Sequence, residues 1–260
     1  MAWKMFTHAL RMLLANLGSA ARISVVPLVV VYGSLALFTF GVFSFGEAGA
    51  DYGAMPAAFG FAFVFAFVTM LAFGFVLAWI AVSWHRFILL EEYPTGWFPK
   101  YRGSETWSYI GRFIILGFVL GLIWMVPGAI LMGTVMSTLA RTGPTVGVFV
   151  TLGAMMVVVA PVMTWLMLRF SAILPAAALG KPLGIGESWS QTAPHSGLIF
   201  RYGLFYILFG ILVQLAATLL LLIPVVGQLL GLFISWFTML LGLSIVTTVY
   251  GVAVEGREPT

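Results

Sequence analysis

Three histidines are the side chains with the clearest capacity for chemistry, because imidazole binds metals and exchanges protons near neutral pH. They are His8, His85 and His195, and none belongs to a zinc-binding His-Glu-x-x-His motif. The chain has no cysteine, which excludes thiolate metal sites, thiol nucleophiles and disulfides. The pattern therefore predicts no metal and no cofactor. All three histidines fall on one predicted side of the molecule, so a shared metal or pH-sensing site stays open as an alternative.

Carboxylates give no better case for catalysis. Asp51 is the only aspartate, and we expect it on the outer face of a membrane. Glu91 and Glu92 are adjacent at the end of an apolar segment, where a solvated pair is more typical than a general acid/base dyad. We predict that the chain is not an enzyme and has no catalytic residues.

A polar and aromatic pattern occurs twice. The sequence ETWS at 105–108 is echoed by ESWS at 187–190, and RF at 86–87 by RF at 169–170. Arg112 followed by phenylalanine is matched by Arg201 followed by tyrosine. Glutamate suits a first helical turn, tryptophan anchors at a membrane interface, and arginine reaches toward lipid headgroups from a helix end. The echo therefore indicates repeated membrane entry and exit points.

The composition places the chain in a membrane. Hydrophobic residues make up 62% and charged residues 8% of the 260 residues. A soluble domain has about 25% charged residues, and so few charges would not cover a water-exposed surface of this size. The net charge of +4 comes from scattered bases and does not indicate nucleic-acid binding.

Six segments are long enough to span a bilayer, which requires roughly 20 predominantly apolar residues. They cover residues 23–45, 58–84, 113–138, 147–173, 198–222 and 228–252. The first is too long for the apolar core of a cleavable signal and is predicted to be an uncleaved spanning helix. In the second, Phe59 to Phe67 alternate with other apolar residues, and we predict a helix because an isolated strand leaves its backbone unpaired in lipid.

The charge distribution predicts the orientation. Of the twelve Lys and Arg residues, only Arg141 falls in a loop on the side opposite the others. Positive charge accumulates on the cytoplasmic side of membrane proteins. We expect a multi-pass protein of the bacterial inner membrane with both termini in the cytoplasm.

The first 22 residues form an amphipathic pattern. Lys4, Arg11 and Arg22 lie on one helical stripe, with Trp3 and several leucines away from it. This predicts a helix lying in the membrane interface with its bases toward the headgroups. The alternative is a helix whose apolar face packs on a partner protein.

The predicted fold class is an all-α, polytopic membrane protein with six spanning helices in three hairpin repeats, plus cytoplasmic interfacial helices. One membrane domain covers 1–260. Its parts are the interfacial helix at 1–22, a first hairpin at 23–84, a second unit at 103–173, a third unit at 184–252 and a tail at 253–260. Residues predicted to face lipid headgroups or the interface are Lys4, Arg11, Arg22, Arg86, Trp107, Arg112, Arg169, Trp189 and Arg201.

The segment RFSAILPAAALGKPLGIGESWSQT at 169–192 resembles the exit and re-entry segment of the glycerophosphoryl diester phosphodiesterase membrane domain and of related six-helix bacterial families of unknown function. The matching residues are Arg169, Pro175, Gly184, Gly186, Glu187, Ser188 and Trp189. The helix opening THALRMLLANLG at 7–18 is also similar. Those families often place an acid where Leu179-Gly180-Lys181 stands. No phosphodiesterase domain is present, so the resemblance implies a membrane module without catalytic residues.

We therefore expect a non-enzymatic accessory or organising protein, which binds lipids or belongs to a larger membrane complex. Its predicted partners are membrane lipids and further protein subunits, either copies of this chain or other membrane proteins. A transporter or channel for an apolar or neutral substrate is the alternative. No charged residue lies centrally in any predicted span, and Gln214 is the only long polar side chain well inside one. The spacings Gly117-x-x-x-Gly121 and Gly227-x-x-x-Gly231 would permit close helix contact.

Overall fold

The computed structural model describes residues 1–47, 55–143, 146–220, 222–223 and 225–259. Within these ranges the chain forms nine α-helices, one 3-10 turn at Ala193–His195 and no strand. The helices are α1 Ala2–Ala15, α2 Leu17–Glu47, α3 Met55–Leu90, α4 Gly103–Thr142, α5 Val146–Phe170, α6 Ile173–Ala178, α7 Ile185–Thr192, α8 Ser196–Leu220 and α9 Val226–Ala253. Asp51, predicted on the outer face, lies outside the described residues.

Among the described residues, six helical segments are long and apolar enough to cross a membrane. They are Leu17–Phe40, Phe63–Leu90, Gly103–Thr142, Val146–Ala178, Ile185–Leu220 and Val226–Ala253. The prediction of an all-α chain with six segments of spanning length is confirmed. The alternating phenylalanines from Phe59 to Phe67 lie in α3, as expected for a helix rather than a strand.

The first helix ends earlier than predicted. Asn16 has φ −121° and ψ 23°, which are not helical values, and its side-chain amide donates to the Met12 carbonyl at 2.8 Å. Asparagine favours helix ends because its side chain competes for backbone groups. The predicted single helix over 1–22 is therefore two: α1 stops at Ala15, and Arg22 belongs to α2.

The apolar face of α1 is covered by this chain's own helices. Ala2, Met5, Phe6, Ala9 and Leu13 recur at helical spacing and are all buried. The helix packs on α8 and α9. The alternative of an apolar face packed on protein is thus partly right, but the protein is the same chain.

The second unit also differs from its prediction, because its ETWS segment is not a separate interfacial helix. It forms the first turns of α4, which runs without interruption from Gly103 to Thr142. The first proline in that stretch is Pro127, far from the ETWS turns. In the third unit Pro194 occupies the 3-10 turn and separates the ESWS helix, α7, from α8.

Among the long helices, α2 packs with α3, α4 with α5 and α8 with α9, and α5 packs with α8 to a similar extent. This agrees with three hairpins, while their equivalence as repeats stays a prediction. The last helix, α9, also contacts α1, α3, α5 and α6. Hydrogen bonds between side chains hold it in place: Trp84 Nε1 to Ser244 Oγ at 3.2 Å, His85 Nδ1 with Thr247 Oγ1 at 2.8 Å, and Trp236 Nε1 to Ser24 Oγ at 2.7 Å.

The buried core is concentrated at one end of the bundle. In α3 the buried residues run from Ala78 onward, and in α9 almost all of them lie beyond Leu240. The other halves of the helices present large apolar side chains outward, with Leu37 75% and Val157 76% exposed. A bilayer covers such a surface, so close helix packing is needed only at the other end.

Candidate functional site

Most of the charged residues that the structure describes lie where α2, α4 and α8 begin and α3, α5 and α9 end. This region also contains α1, α6, α7 and the loop 91–102, and we call it the charged end. Four arginines tie its segments together by donating to backbone carbonyls. Arg169 donates to Trp189, Arg86 to Ala178 at 2.9 Å, Arg112 to Leu183 at 3.2 Å and Arg257 to Leu89 at 3.1 Å.

Arg86 is the centre of an ion-pair network. It is 9% exposed and donates to both carboxylate oxygens of Glu92, at 3.0 and 2.6 Å. Arg102 donates to the same carboxylate at 2.8 Å, and Glu105 lies 3.6 Å from Arg86. The Arg86 hydrogen bond holds the pKa of the Glu92 carboxyl below its usual value, with Arg102 adding to this effect and partial burial opposing it. The network links the end of α3 to the start of α4.

Arg169 forms no ion pair with a carboxylate among the described residues. It is 4% exposed, and its Nε donates to Thr192 Oγ1 at 3.2 Å while its NH2 group donates to the Trp189 carbonyl. Its guanidinium carbon lies 3.4 Å from the centroid of the Trp189 ring and 5.5 Å from that of Trp165. A desolvated guanidinium is stabilised over an aromatic face, so these contacts replace a counter-ion.

The two copies of the polar echo therefore have different contacts. Glu105 lies beside Arg86, whereas Glu187 accepts a hydrogen bond from the Gly184 backbone N–H at 2.6 Å and so begins α7. Trp107 is 62% exposed and packs on Phe75, while Trp189 is 37% exposed and stacks on Phe170. Similar sequence letters mark both re-entry points, but each point is built differently.

The nine residues predicted at the interface divide into two groups. Arg86, Arg112, Arg169 and Trp189 hold segments of the protein together. Lys4, Arg11, Arg22, Trp107 and Arg201 are exposed. Arg201 donates to the Gly197 carbonyl of its own helix, at 3.2 Å.

Sequence reasoning missed Glu92 and Arg102 as partners of Arg86, and Trp165 and Thr192 as neighbours of Arg169. Glu92 follows Arg86 by six residues, but the chain turns sharply between them, and no helical or strand spacing predicts the pairing. Thr192 lies four residues after Ser188. The Ser188 hydroxyl donates to the Arg169 carbonyl at 2.7 Å, and the Thr192 hydroxyl donates to the Ser188 carbonyl at 2.7 Å while accepting from Arg169 Nε. That i, i+4 spacing is the one available signal of a shared contact.

A cavity of about 550 Å³ lies at the charged end between α1, the end of α3 and the end of α9. His8, Arg11, Arg257 and Glu258 contribute its polar lining, together with Thr247 and Thr248. Its lining carries charges of both signs. In the ranges that the structure covers, no three His, Asp or Glu side chains are grouped as a metal site requires.

The comparisons identify no relative. No protein-family model matches this chain, and no curated protein and no solved structure matches it either.

Proposed function

We propose that this chain is a non-enzymatic, multi-pass protein of the bacterial inner membrane, and that its charged end faces the cytoplasm and gathers anionic phospholipids. In this accessory role it organises lipid around itself or around a larger complex to which it belongs. The observation that carries the proposal is an imbalance of unpaired charge at the charged end.

Most of the acids there are occupied by the protein. Glu92 and Glu105 pair with Arg86, Glu187 accepts from Gly184, and Glu255 pairs with Arg257 at 2.6 Å. Many of the basic side chains at this end have no such partner among the described residues. Among the described residues of the charged end, six exposed basic side chains have no ion pair, against two exposed acids, Glu91 and Glu258, that have neither an ion pair nor a hydrogen bond. The six bases are Lys4, Arg11, Arg22, Lys100, Lys181 and Arg201. Internal pairing thus leaves an excess of exposed positive charge, which suits phosphate headgroups.

Aromatic side chains accompany these bases. Trp3 is 57% and Trp107 is 62% exposed. Trp3 also packs its ring edge against Phe205, so its orientation is fixed. Tryptophan is enriched at the level of lipid headgroups, where its ring meets the apolar boundary and its N–H meets water. Bases and indoles at one end of the bundle support a lipid-binding face.

Transport of an apolar or neutral substrate has less support. A groove between α8 and α9 begins at the end opposite the charged end, but it reaches only to about Thr238. Beyond it, Leu240 and Leu241 are fully buried and Ile245 is 1% exposed. A solute in this groove meets packed side chains before it reaches the charged end.

The test is lipid selectivity of the purified full-length chain, measured by native mass spectrometry after exposure to equal amounts of phosphatidylglycerol and phosphatidylcholine. The wild type should retain the anionic lipid preferentially. Replacing Lys4, Arg11 and Arg22 together by Gln should weaken this preference, because each base near an anionic surface contributes about 1 kcal/mol. Their lack of ion pairs means that the thermal stability should change little.

Arg141→Gln is the matched control, because Arg141 is an exposed base at the other end of α4. It removes one positive charge from the opposite side, as each of the three substitutions does at the charged end, and should leave lipid selectivity unchanged. Equal retention of both lipids by the wild type, or an equal effect of Arg141→Gln and the triple substitution, would overturn the proposal.

A further inference from the structure

A second surface feature lies far from the charged end. The groove between α8 and α9 has a volume of about 710 Å³, and small or polar residues form much of its lining. These residues are Gly210, Gln214 and Ala217 on α8, and Gln228, Gly231 and Ser235 on α9. Their spacing places each set on one stripe of its helix. Elsewhere in this half of the bundle the exposed side chains are mostly large and apolar.

The two glutamines have no hydrogen-bond partner among the described residues, although both are exposed. Exposed hydroxyl groups in other spans behave differently, because they donate to a carbonyl of their own helix. Thr39 donates to Leu35 and Thr134 to Ile130, each at 2.8 Å. A glutamine side chain has two N–H donors and a carbonyl acceptor, and here none of them is used.

The position of Gln214 in its helix makes an amide without hydrogen bonds energetically costly. It lies in the candidate span Ile185–Leu220, six residues before α8 ends at Leu220. At 1.5 Å per residue this is about 9 Å along the helix from its end. Hydrocarbon cannot hydrogen-bond an amide, and lipid ester carbonyls can only accept. The amide therefore requires a partner that both donates and accepts at this depth.

Backbones can approach closely along this groove. A methyl group built on Gly210 or Gly231 meets no atom within 4 Å, so the space beside each glycine is open. Small residues beside a polar side chain are the usual composition of a contact between membrane helices. The groove has the shape and the chemistry of one half of such a contact.

We infer that the α8–α9 groove is the contact between two copies of this chain, related by a twofold axis along the membrane normal. Copies with the same orientation place Gln214 at the same depth, and an amide is the complement of an identical amide. From Tyr202 to Val254 the sequence has no charged residue. The α8–α9 hairpin of the second copy therefore enters the groove without burying a charge. This contact is independent of the lipid-binding proposal.

The absence of cysteine makes a direct test available, because any introduced thiol is unique in the chain. Gly231→Cys in the full-length protein, oxidised in native membranes, should yield a disulfide-linked dimer. Ala217→Cys provides a second position on the facing helix. Val150→Cys is the control, since Val150 is 63% exposed near the same end of α5 and should stay monomeric.

The amides are tested in the Gly231→Cys background by adding Gln214→Leu and Gln228→Leu. Loss of the interhelical hydrogen bonds should reduce dimer yield about tenfold. Neither glutamine side chain bonds to another described residue of its own chain, so the monomer should keep its thermal stability.

Four results would overturn the inference. Equal crosslinking of Val150→Cys would indicate random collision, and an undiminished dimer in the leucine variants would remove the amides from the contact. If the groove thiols do not crosslink but react with a water-soluble maleimide, the groove is a hydrated cleft for a solute. If they do neither, lipid or another protein covers them.

Discussion

The guanidinium of Arg169 lies over the indole of Trp189, 3.4 Å from the ring centroid, and also donates to the carbonyl of the same residue. One residue of α7 thus binds the last turn of α5 through both its ring and its backbone. The geometry fixes α7 against α5 without any acid. Electrostatic attraction to the ring face and a charged hydrogen bond replace the ion pair that Arg86 has at the end of α3.

Arg169→Ala should lower the free energy of unfolding by about 3 kcal/mol, because it removes a desolvated cation–π contact and charged hydrogen bonds. Arg169→Lys should recover less than half of this, since an ammonium lacks the planar fork of donors. The measurement is thermal unfolding in detergent. Arg201→Ala serves as the control and should stay within about 0.5 kcal/mol of wild type; equal effects at both positions would contradict the assigned role of Arg169.

Glu92 should make stability depend on pH. Its folded-state pKa lies below the ordinary value of 4.5, mainly because Arg86 donates to the carboxylate. The stabilisation is therefore fully present above pH 4.5 and is lost as the pH falls through the folded-state pKa. Glu92→Gln should be less stable than wild type at neutral pH, and this difference should shrink below pH 4.5. Glu91→Gln is the neighbouring control and should follow the wild-type profile.

Glu91→Gly should stabilise the protein. Glu91 follows the last residue of α3 with φ 56°, a left-handed conformation that glycine adopts freely at helix ends. Relief of this strain should add about 0.5–1 kcal/mol. Glu91→Ala removes the same charge but keeps the strain, so only the glycine variant should raise the melting temperature. A higher melting temperature in both variants would show that the effect comes from removal of the charge.

Substitutions at Leu13 and Leu14 distinguish an α1 that packs on the bundle from an α1 that lies on the membrane surface. Leu13 is fully buried on the bundle, and its neighbour Leu14 is 49% exposed. Leu13→Ala should cost about 2–5 kcal/mol, as for a buried leucine, and Leu14→Ala well under half of that. Thermal unfolding in detergent measures both. If α1 only lay on the membrane surface, neither substitution would change stability in a micelle.

The topology predicts opposite compartments for residue 50 and the C-terminus. Reporters fused at these positions should report the periplasm and the cytoplasm, respectively, because positive charge is retained inside. A third fusion after Arg141 should agree with the one at residue 50. The same compartment for residue 50 and the C-terminus would be incompatible with six spans.

The sequence was sufficient to predict the number of spanning-length helices, because a bilayer imposes a length and composition that each helix shows on its own. The positions of the helix ends were predicted less reliably. Asn16 ends α1 inside a pattern that continues to Arg22, and α4 continues through a segment whose echo is broken by Pro194. Amphipathic spacing identified the apolar face of α1 but not its partner, since protein and lipid cover an apolar surface equally well.

The contacts at the charged end were less predictable. Arg86 and Arg169 were identified as residues at helix exits, but their partners come from the loop after α3 and from α6 and α7. Such pairings depend on how the helices pack. Gln214 was visible as an unusual residue in a span, but Gln228 across the groove became apparent only when α8 and α9 were placed together.

The docking of α1 on α8 and α9 imposes an order on biosynthesis. A ribosome makes α1 before its two partner helices, so the buried stripe from Ala2 to Leu13 has no α8 or α9 to pack against until those helices have been made. During that interval the stripe is available to chaperones, proteases or the bilayer surface. A chain that stops before α9 cannot cover it again, and the exposed stripe then distinguishes an unfinished chain from a finished one.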